Sequence, residues 1–520
     1  MDQAIVYPVG EQSFENLRAD SAVYVDKTAL IYQLVKQGRF YFLSRPRRFG
    51  KSLLVSTLEA YFLGKRALFA GLAMERLERD WTQHPVLHVD FSRNNFAIPG
   101  ELEKTLNSIL CKWEAIYGRK VEDDTYADRF IQVIESAHAR TGQQVVVLVD
   151  EYDKPMLDAI GSRELLARNQ DLLRGFYGAL KASAPHLRFV FLTGVTRFAH
   201  VNIFSGLNNL RDISMSTAYA TLCGITAAEL RANFAEGVAQ MADARGISVE
   251  ACYEKLAREY DGYRFSAEAA EGVYNPFSLL NAFVERSFGS YWFATGTPSY
   301  LVQVMQESGY WVDDLTGAAV ALQDLGDIRD PYQNPQALFY QSGYLTLGEP
   351  GDVPDTYLLR FPNGEVQEGF RQFLKECYLP GVFGSSTYNA AAFYRLLAAG
   401  DAEGFMALLA SFFWVSNYEV VGEQEKYYQN TLRALFMLMG TKVEAEHRTA
   451  NGRIDLLVWL PKYVYLFEIK MDRGAGVALE QIEGKGYAKG VDTGGRQLIA
   501  IGVSFSRAER GIQEWKVARG

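Results

Sequence analysis

Cysteine is scarce in this chain and nowhere closely paired. The four cysteines, Cys111, Cys223, Cys252 and Cys377, lie far apart in 520 residues. That spacing excludes a disulfide framework and a paired-cysteine zinc motif, and a reducing, cytoplasmic setting is expected. Long apolar runs are also missing. Runs such as Val145–Val149 suit buried strands and fall far short of the roughly 20 residues a membrane-spanning helix needs. The opening residues, MDQAIVYPVG, carry neither a basic start nor an apolar stretch of signal-peptide length, so no export and no membrane partner are expected. Positive charge is not in excess: the net charge is -9. The average field therefore repels phosphate, and any contact with nucleic acid must come from local clusters of lysine and arginine. No fixed-period repeat and no glycine-, serine- or proline-biased tract breaks the chain.

What is present describes an ordinary packed protein. Hydrophobic residues make up 48% and charged residues 22%, and the length exceeds what one hydrophobic core organises, so two or three domains are expected.

The first chemistry lies near the amino terminus. GRFYFLS at Gly38–Ser44 reads as an aromatic strand, and LLVSTLEAYFLG from Leu53 has the apolar spacing of a helix. Between them stands RPRRFGKS, which matches the end of a GxxxxGK[ST] phosphate loop at Gly50, Lys51 and Ser52 but has Arg45 where the first glycine belongs. The residues kept are the chemically essential ones. Gly50 lets the backbone approach, the helix amino terminus presents free N–H groups, and Lys51 adds a point charge. The nucleotide-binding candidates are Arg47, Arg48, Phe49, Gly50, Lys51, Ser52 and Leu53.

At QVVVLVDEYDKPM, an apolar strand ends in Asp150 and Glu151, where an α/β sheet presents its ligand edge. In this Walker B pattern Asp150 joins Ser52 around magnesium and Glu151 is the catalytic base that polarises water. Spacing alone also describes acidic residues after a strand. A third strand, RFVFL at Arg188–Leu192, leads to Thr193, a candidate sensor of the terminal phosphate, and to Arg197; Arg197 and Arg211 are candidates for stabilising transition-state charge. Asp26 and Lys27 either touch nucleotide or form surface ion pairs.

YVDKTALI at Tyr24–Ile31, FLSRPRRFGKSLL at Phe42–Leu54, DEYDKP at Asp150–Pro155 and IFSGLNNLRDIS at Ile203–Ser214 together resemble the AAA-ATPase-like family. That family's phosphate loop is arginine-rich and lacks the first glycine. The resemblance runs from about Val9 to about Phe283 and includes DGYRF at Asp261–Phe265 and YNPFS at Tyr274–Ser278, markers of a helical lid. It implies ATP binding and hydrolysis.

Residues 286–384 offer aromatic segments with turns between them. Trp292, Phe339 and Tyr344 read as core rings, and no site is assigned to this stretch. Beyond Ala390 two helical patterns end at Gly440. RIDLLVWL and YVYLFEIK then read as a hairpin turning at Pro461–Lys462, with a helix from about Gly476. Strand alternation puts Glu468 and Lys470 on one face, and the hairpin brings Asp455 beside them. Oxygen ligands suit magnesium, so Asp455, Glu468 and the Ile469 carbonyl are metal-ligand candidates, with Lys470 to orient or activate water. The same spacing describes a cross-strand ion pair.

GRIDLLV, YLFEIK and ALEQIEGKGYA resemble the PD-(D/E)XK nuclease superfamily, and more closely the nuclease domain often fused to AAA-ATPase-like domains, over about Tyr388 to Val503. The resemblance implies Asp455 and Glu468 as metal ligands, Lys470 as the catalytic lysine, Gln481 as a helix residue of the site, and Glu425 as a further catalytic acid, with Glu446 its alternative. Ile454 stands where the motif's proline would be.

The expected fold is α/β, in four parts: a P-loop ATPase core at 1–215, a helical lid at 216–285, a mixed connector at 286–387 and an α/β PD-(D/E)XK nuclease-like domain at 388–520. The expected function is ATP-controlled, magnesium-dependent cleavage of nucleic acid, DNA or RNA, with genome defence or nucleic-acid processing as the role by analogy. The alternatives are a regulatory nucleotide switch whose carboxy-terminal domain binds nucleic acid or a partner without cutting, and a remodeller acting as a homo-oligomeric ring.

Overall fold

The computed structural model describes residues 5–119, 125–197, 203–204, 207, 209–269, 271–293, 300–301, 304–305, 319–326, 328, 332–378, 390–416, 425–449, 452–508 and 511–519. Ser205, Gly206 and Asn208 of the IFSGLNNLRDIS segment, and 294–299 of the YWFATGTPSYL segment, lie outside them. The chain is mixed α/β and divides into two compact units, 1–300 with 316–367, and 301–315 with 368–520. The stretch 286–387 is thus shared between the two.

The first unit is built on five strands: β1 (Phe40–Ser44), β2 (Val86–Asp90), β3 (Val145–Asp150), β4 (Leu187–Gly194) and β5 (Arg211–Asp212). Their order is β2-β3-β4-β1-β5, and every neighbouring pair is parallel. β3 shows why such strands form: VVVLVD is β-branched and fully buried, as a parallel strand covered on both faces must be. Because all five run the same way, the carboxyl ends of β1 and β3 open on one edge, with β4 between them.

The lid consists of helices Ala227–Asn233, Ala235–Arg245, Val249–Tyr260 and Pro276–Glu285. Leu230, Phe234, Val238, Met241, Leu256, Leu279 and Phe283 form its core, and Tyr7, Val9, Val23 and Val25 of the amino-terminal segment pack against it. The YNPFS segment now has a physical account. Tyr274 pairs with Ile225, Asn275 caps the next helix by accepting from the N–H groups of Phe277 (2.9 Å) and Ser278 (3.2 Å), and Pro276 occupies its first position. In DGYRF, Tyr263 and Phe265 meet Phe49 of the phosphate loop edge-on, with centroids at 4.7 and 5.4 Å.

The middle stretch is more regular than its sequence suggested. Helix Pro335–Ser342 and the antiparallel sheet β6 (Ala319–Ala321), β8 (Thr356–Arg360), β7 (Thr346–Pro350) belong to the first unit. Trp292, Phe339 and Tyr344 are buried in it as expected. At Gly343 (φ +89°) a Cβ would come within 2.6 Å of Pro46 in the phosphate loop.

Glu365 is buried there, accepting from the Trp292 N–H at 2.7 Å, and burial pushes its carboxyl up to about 7. Since the folded pKa is raised, the folded state holds a proton that the unfolded chain releases, and stability falls as pH rises from about 4.5 to about 7. Glu365→Gln is expected to raise the melting temperature at pH 8 and to change it less at pH 5. Equal shifts at both pH values would show that the carboxylate carries no such penalty.

The second unit carries the sheet β13-β12-β11-β10-β9, formed by β9 (Lys442–Thr449), β10 (Gly452–Trp459), β11 (Tyr463–Met471), β12 (Gln497–Ser506) and β13 (Gly511–Arg519). β11 and β12 are parallel and the other pairs antiparallel. Helix Ala475–Gly484 makes the crossover that a parallel pair requires. It lies so close to β12 that a Cβ on Gly502 would sit 2.6 Å from the Ala475 carbonyl oxygen. Rings of the helices Ala402–Ser416 and Glu425–Leu438 pack on β11, Phe405 at 6.1 Å and Phe436 at 5.3 Å from Phe467.

Candidate functional site

The phosphate loop leaves β1 and enters helix Lys51–Phe62 through Gly50 at φ +84°, a conformation glycine adopts without strain. Arg47, Arg48, Phe49, Gly50, Lys51, Ser52 and Leu53 line a pocket of about 560 Å³, together with Glu151. Away from the loop its walls are mixed: Glu11, Lys27 and Lys154 line it beside apolar side chains. Val23, Val25 and Ile31 come from the amino-terminal segment, and Leu222, Phe277 and Leu280 from the lid side. Such a chamber offers cations for phosphates and apolar side chains against which a base can pack.

Lys51 is 6% exposed, and its ammonium donates to the carbonyls of Arg45 (3.0 Å) and Pro46 (2.9 Å). Burial lowers its pKa, while Glu151, Asp150 and Asp153 pull it back up. Burial raises the pKa of the Asp150 carboxylate, and the nearby Ser52 hydroxyl and the Lys51 charge hold it down. A hydroxyl and a desolvated carboxylate meeting beside a lysine fit magnesium. Glu151 follows at φ +54°, a left-handed conformation that costs a non-glycine residue about 1–3 kcal/mol. Burial raises its pKa as well, with Lys51 opposing.

Arg45 does not line this pocket. It is 1% exposed, donates to the carbonyls of Ser44 (2.9 Å), Ser214 (2.7 Å) and Tyr219 (3.1 Å), and stacks on Phe265 at 4.1 Å. The arginine that replaces the loop's first glycine ties the loop to distant chain. Arg45→Gly, which restores the usual loop pattern, is therefore expected to destabilise the first unit by about 3 kcal/mol or more, the loss of three charge-assisted hydrogen bonds. A melting curve checks this; unchanged stability with tighter ATP binding would reverse it.

Two other candidates are turned away from the pocket. The Thr193 hydroxyl donates to the Leu43 carbonyl at 2.9 Å, so the side chain read as a phosphate sensor closes the β1–β4 seam. Arg197 forms an ion pair with Asp212 at 2.8 Å, its N–H donates to Gln341, and it does not line the pocket. Arg211 is exposed on β5. Asp26 accepts from Thr28 and from the Ala73 N–H. Lys27 pairs with Glu229 at 2.6 Å and also lines the pocket.

Asp153 was not singled out by sequence reading. It is 1% exposed and accepts from the N–H groups of Val195 (3.2 Å) and Thr196 (2.6 Å) and from the Thr196 hydroxyl (2.8 Å). It fastens the turn after β3 to the end of β4, and Gly194 leaves the room it needs. Its only sequence signal is a second aspartate three residues after Asp150.

The second constellation lies on β10 and β11. Leu456 faces Phe467 across the antiparallel pair, so Asp455 and Glu468 are neighbours. They are 9% and 1% exposed. Asp455 accepts from the Ile469 N–H at 2.6 Å. Lys470 donates to Glu468 Oε1 at 2.9 Å and to the Ile469 carbonyl at 3.1 Å, and Gln481 donates to the same Oε1. Glu468 Oε2 is buried without a hydrogen bond.

Burial, followed by the charge of Glu468, pushes Asp455 up to about 7. Burial raises Glu468 too, with Lys470 opposing. Two desolvated carboxylates, one with an orphaned oxygen, are the arrangement a divalent cation would relieve, so the residues fit magnesium. No group of three or more acidic, histidine or cysteine side chains forms a metal cluster among the described residues. The Ile469 carbonyl already accepts from Lys470. Of the alternative acids, Glu425 starts helix Glu425–Leu438 and its charge acts on both Asp455 and Lys470, whereas Glu446 pairs with Arg453 at 3.3 Å.

A parallel sheet with a lysine-bearing phosphate loop, and a mixed sheet with an Asp, Glu-X-Lys centre, define a P-loop protein joined to a nuclease-like domain. The comparisons agree. Residues 8–204 match the predicted AAA-ATPase family model, and residues 423–515 match a PD-(D/E)XK nuclease superfamily model. A protein of Azotobacter chroococcum mcd 1, described as an uncharacterized protein in the vnfD 5' region, is 38% identical over 522 residues, which cover 97% of each chain. The chain belongs to the AAA-ATPase-like family with a carboxy-terminal PD-(D/E)XK nuclease superfamily domain. Among the described residues no helix is long and apolar enough to cross a membrane.

Proposed function

We propose that the chain hydrolyses ATP at the first site and cleaves phosphodiester bonds of nucleic acid at the second, with the nucleotide controlling the cutting. Lys51 and the amino terminus of its helix bind the phosphates, Ser52 and Asp150 hold magnesium, and Glu151 orients and polarises the attacking water. At the second site Asp455 and Glu468 hold magnesium. Bound there, the ion neutralises charge on the phosphate and lowers the pKa of water. Lys470 orients that water, Gln481 fixes the Glu468 carboxylate, and Glu425 adds negative charge beside Asp455.

The observation that carries the cleavage reading is the pair Asp455 and Glu468, two carboxylates buried side by side. A fold gains nothing from desolvating two like charges, whereas a cation site needs them. Genome defence or nucleic-acid processing follows by analogy. The described free thiols, Cys111, Cys223 and Cys252, suit a reducing cytoplasm.

The test is cleavage of DNA and RNA in Mg²⁺ by the parent and by Lys470→Ala, each with and without ATP. The parent should cut, Lys470→Ala should cut about 100-fold slower or worse, in line with loss of the group that positions the attacking water, and ATP should change the parent's rate. Equal cutting by both proteins would remove Lys470 from the chemistry, and no cutting by either would favour a switch that only binds.

A further inference from the structure

Helix Ala475–Gly484 brings more than Gln481 to the second site. Lys485 lies four residues on, one helical turn along the same edge, and its N–H closes that turn on the Gln481 carbonyl at 3.1 Å. Its ammonium sits over the Tyr487 ring, 5.6 Å from the centroid, a favourable place for a cation.

The ammonium also approaches the start of β10. Gly452, three residues before Asp455, has φ +144°, and a Cβ there would lie 2.7 Å from the Tyr487 hydroxyl and 3.3 Å from Lys485 Nζ. Glycine thus keeps a corner open for both side chains. From it the lysine's charge reaches Glu468.

The two lysines of the site differ in what they offer. The Lys470 side chain is 14% exposed, whereas Lys485 is exposed to solvent. The site needs an exposed cation. Its two carboxylates repel phosphate, and so does the net charge of -9, so an approaching strand must be met by a local positive group.

We propose that Lys485 is a substrate-binding residue of the second site, contacting a backbone phosphate of the nucleic acid beside the bond that is cut. This rests on the cleavage reading above and adds to it how the substrate is held. A lysine here acts as a point charge, so it contributes affinity and salt dependence, with no base preference.

The test uses the full chain and fluorescent single- and double-stranded DNA and RNA oligonucleotides. Binding is measured in EDTA and in Ca²⁺ over a salt series, for the parent, Lys485→Gln, Lys485→Arg and Gly452→Ala, with melting curves as a check on folding. Lys485→Gln should weaken binding about 3- to 10-fold and make the slope of log affinity against log salt shallower by about 0.7–0.9, the value for one phosphate contact. Lys485→Arg should bind like the parent, and Gly452→Ala, which displaces the ammonium while keeping its charge, should weaken binding. In Mg²⁺, KM for Lys485→Gln should rise by the binding factor while kcat stays within about twofold.

Unchanged affinity and slope in Lys485→Gln would overturn the proposal, as would a loss confined to kcat or a parent that binds none of the oligonucleotides. If the parent binds but never cuts, and Lys485→Gln still binds more weakly, the phosphate contact stands and the cleavage reading falls.

Discussion

Lys51→Ala is expected to lose ATP hydrolysis by about 100-fold or more, the usual cost of removing one preorganised group that stabilises transition-state charge. The local structure adds a second effect. The ammonium holds the carbonyls of Arg45 and Pro46, and it is the buried counter-charge to Asp150, Glu151 and Asp153. Alanine leaves the two carbonyls without that donor and the three carboxylates without that cation. The first unit should therefore also melt earlier, and the stabilisation that ATP gives the parent should disappear. Phosphate release and melting curves with and without ATP measure both. A variant that melts early yet hydrolyses ATP normally would reduce Lys51 to a structural post.

Glu468→Gln is expected to show the opposite combination, activity lost and stability gained. The amide keeps an oxygen where Lys470 and Gln481 donate, so the local hydrogen bonds survive. What it removes is one of two buried like charges, whose raised pKa values mark the strain of holding both ionised. Magnesium-dependent cutting should fall about 100-fold or more, since one of two charged metal ligands is gone. Without metal at pH 8 the second unit should melt higher, by about 2–4 °C for each ~1 kcal/mol relieved. Parent-like cutting would remove Glu468 from the chemistry. A lower melting temperature would mean that the Lys470–Glu468 pair stabilises the fold more than burying its carboxylate costs.

Both sites were legible where their residues are close in sequence and sit at the ends of strongly patterned elements. VVVLVD followed by Glu151 reads as a buried strand reaching a ligand edge, and that is where β3 delivers it. Asp455 and Glu468 were legible for a similar reason, because a tight turn fixes the register of two short strands. Where partners are remote, the reading stopped short. The partners of Arg45 on Ser214 and Tyr219 lie 169 and 174 residues away, and nothing in RPRRFGKS indicates that its first arginine points inward. Thr193 near the end of β4 and Arg197 just after it stand where a sensor and a charge stabiliser would, and there the Thr193 hydroxyl bonds the Leu43 carbonyl and Arg197 pairs with Asp212. β9, KVEAEHRT, alternates weakly and is polar, as an edge strand can be, and so gave no signal.

Local spacing alone supplied the candidate residues: a lysine and serine at a helix start, aspartate and glutamate at a strand end, and a second Asp, Glu-X-Lys set on a hairpin. These patterns depend on local spacing, and local spacing is what strands, turns and helix termini preserve. Which charges line the pocket and which hold the frame depended on the fold. Arg45 became a bolt because Ser214, Tyr219 and Phe265 surround it, Asp153 became a fastener because the end of β4 offers it donors, and Lys485 lies over Tyr487 beside the start of β10 because Gly452 has no side chain. Each outcome depends on burial and on contacts between distant segments, which no run of neighbouring residues encodes.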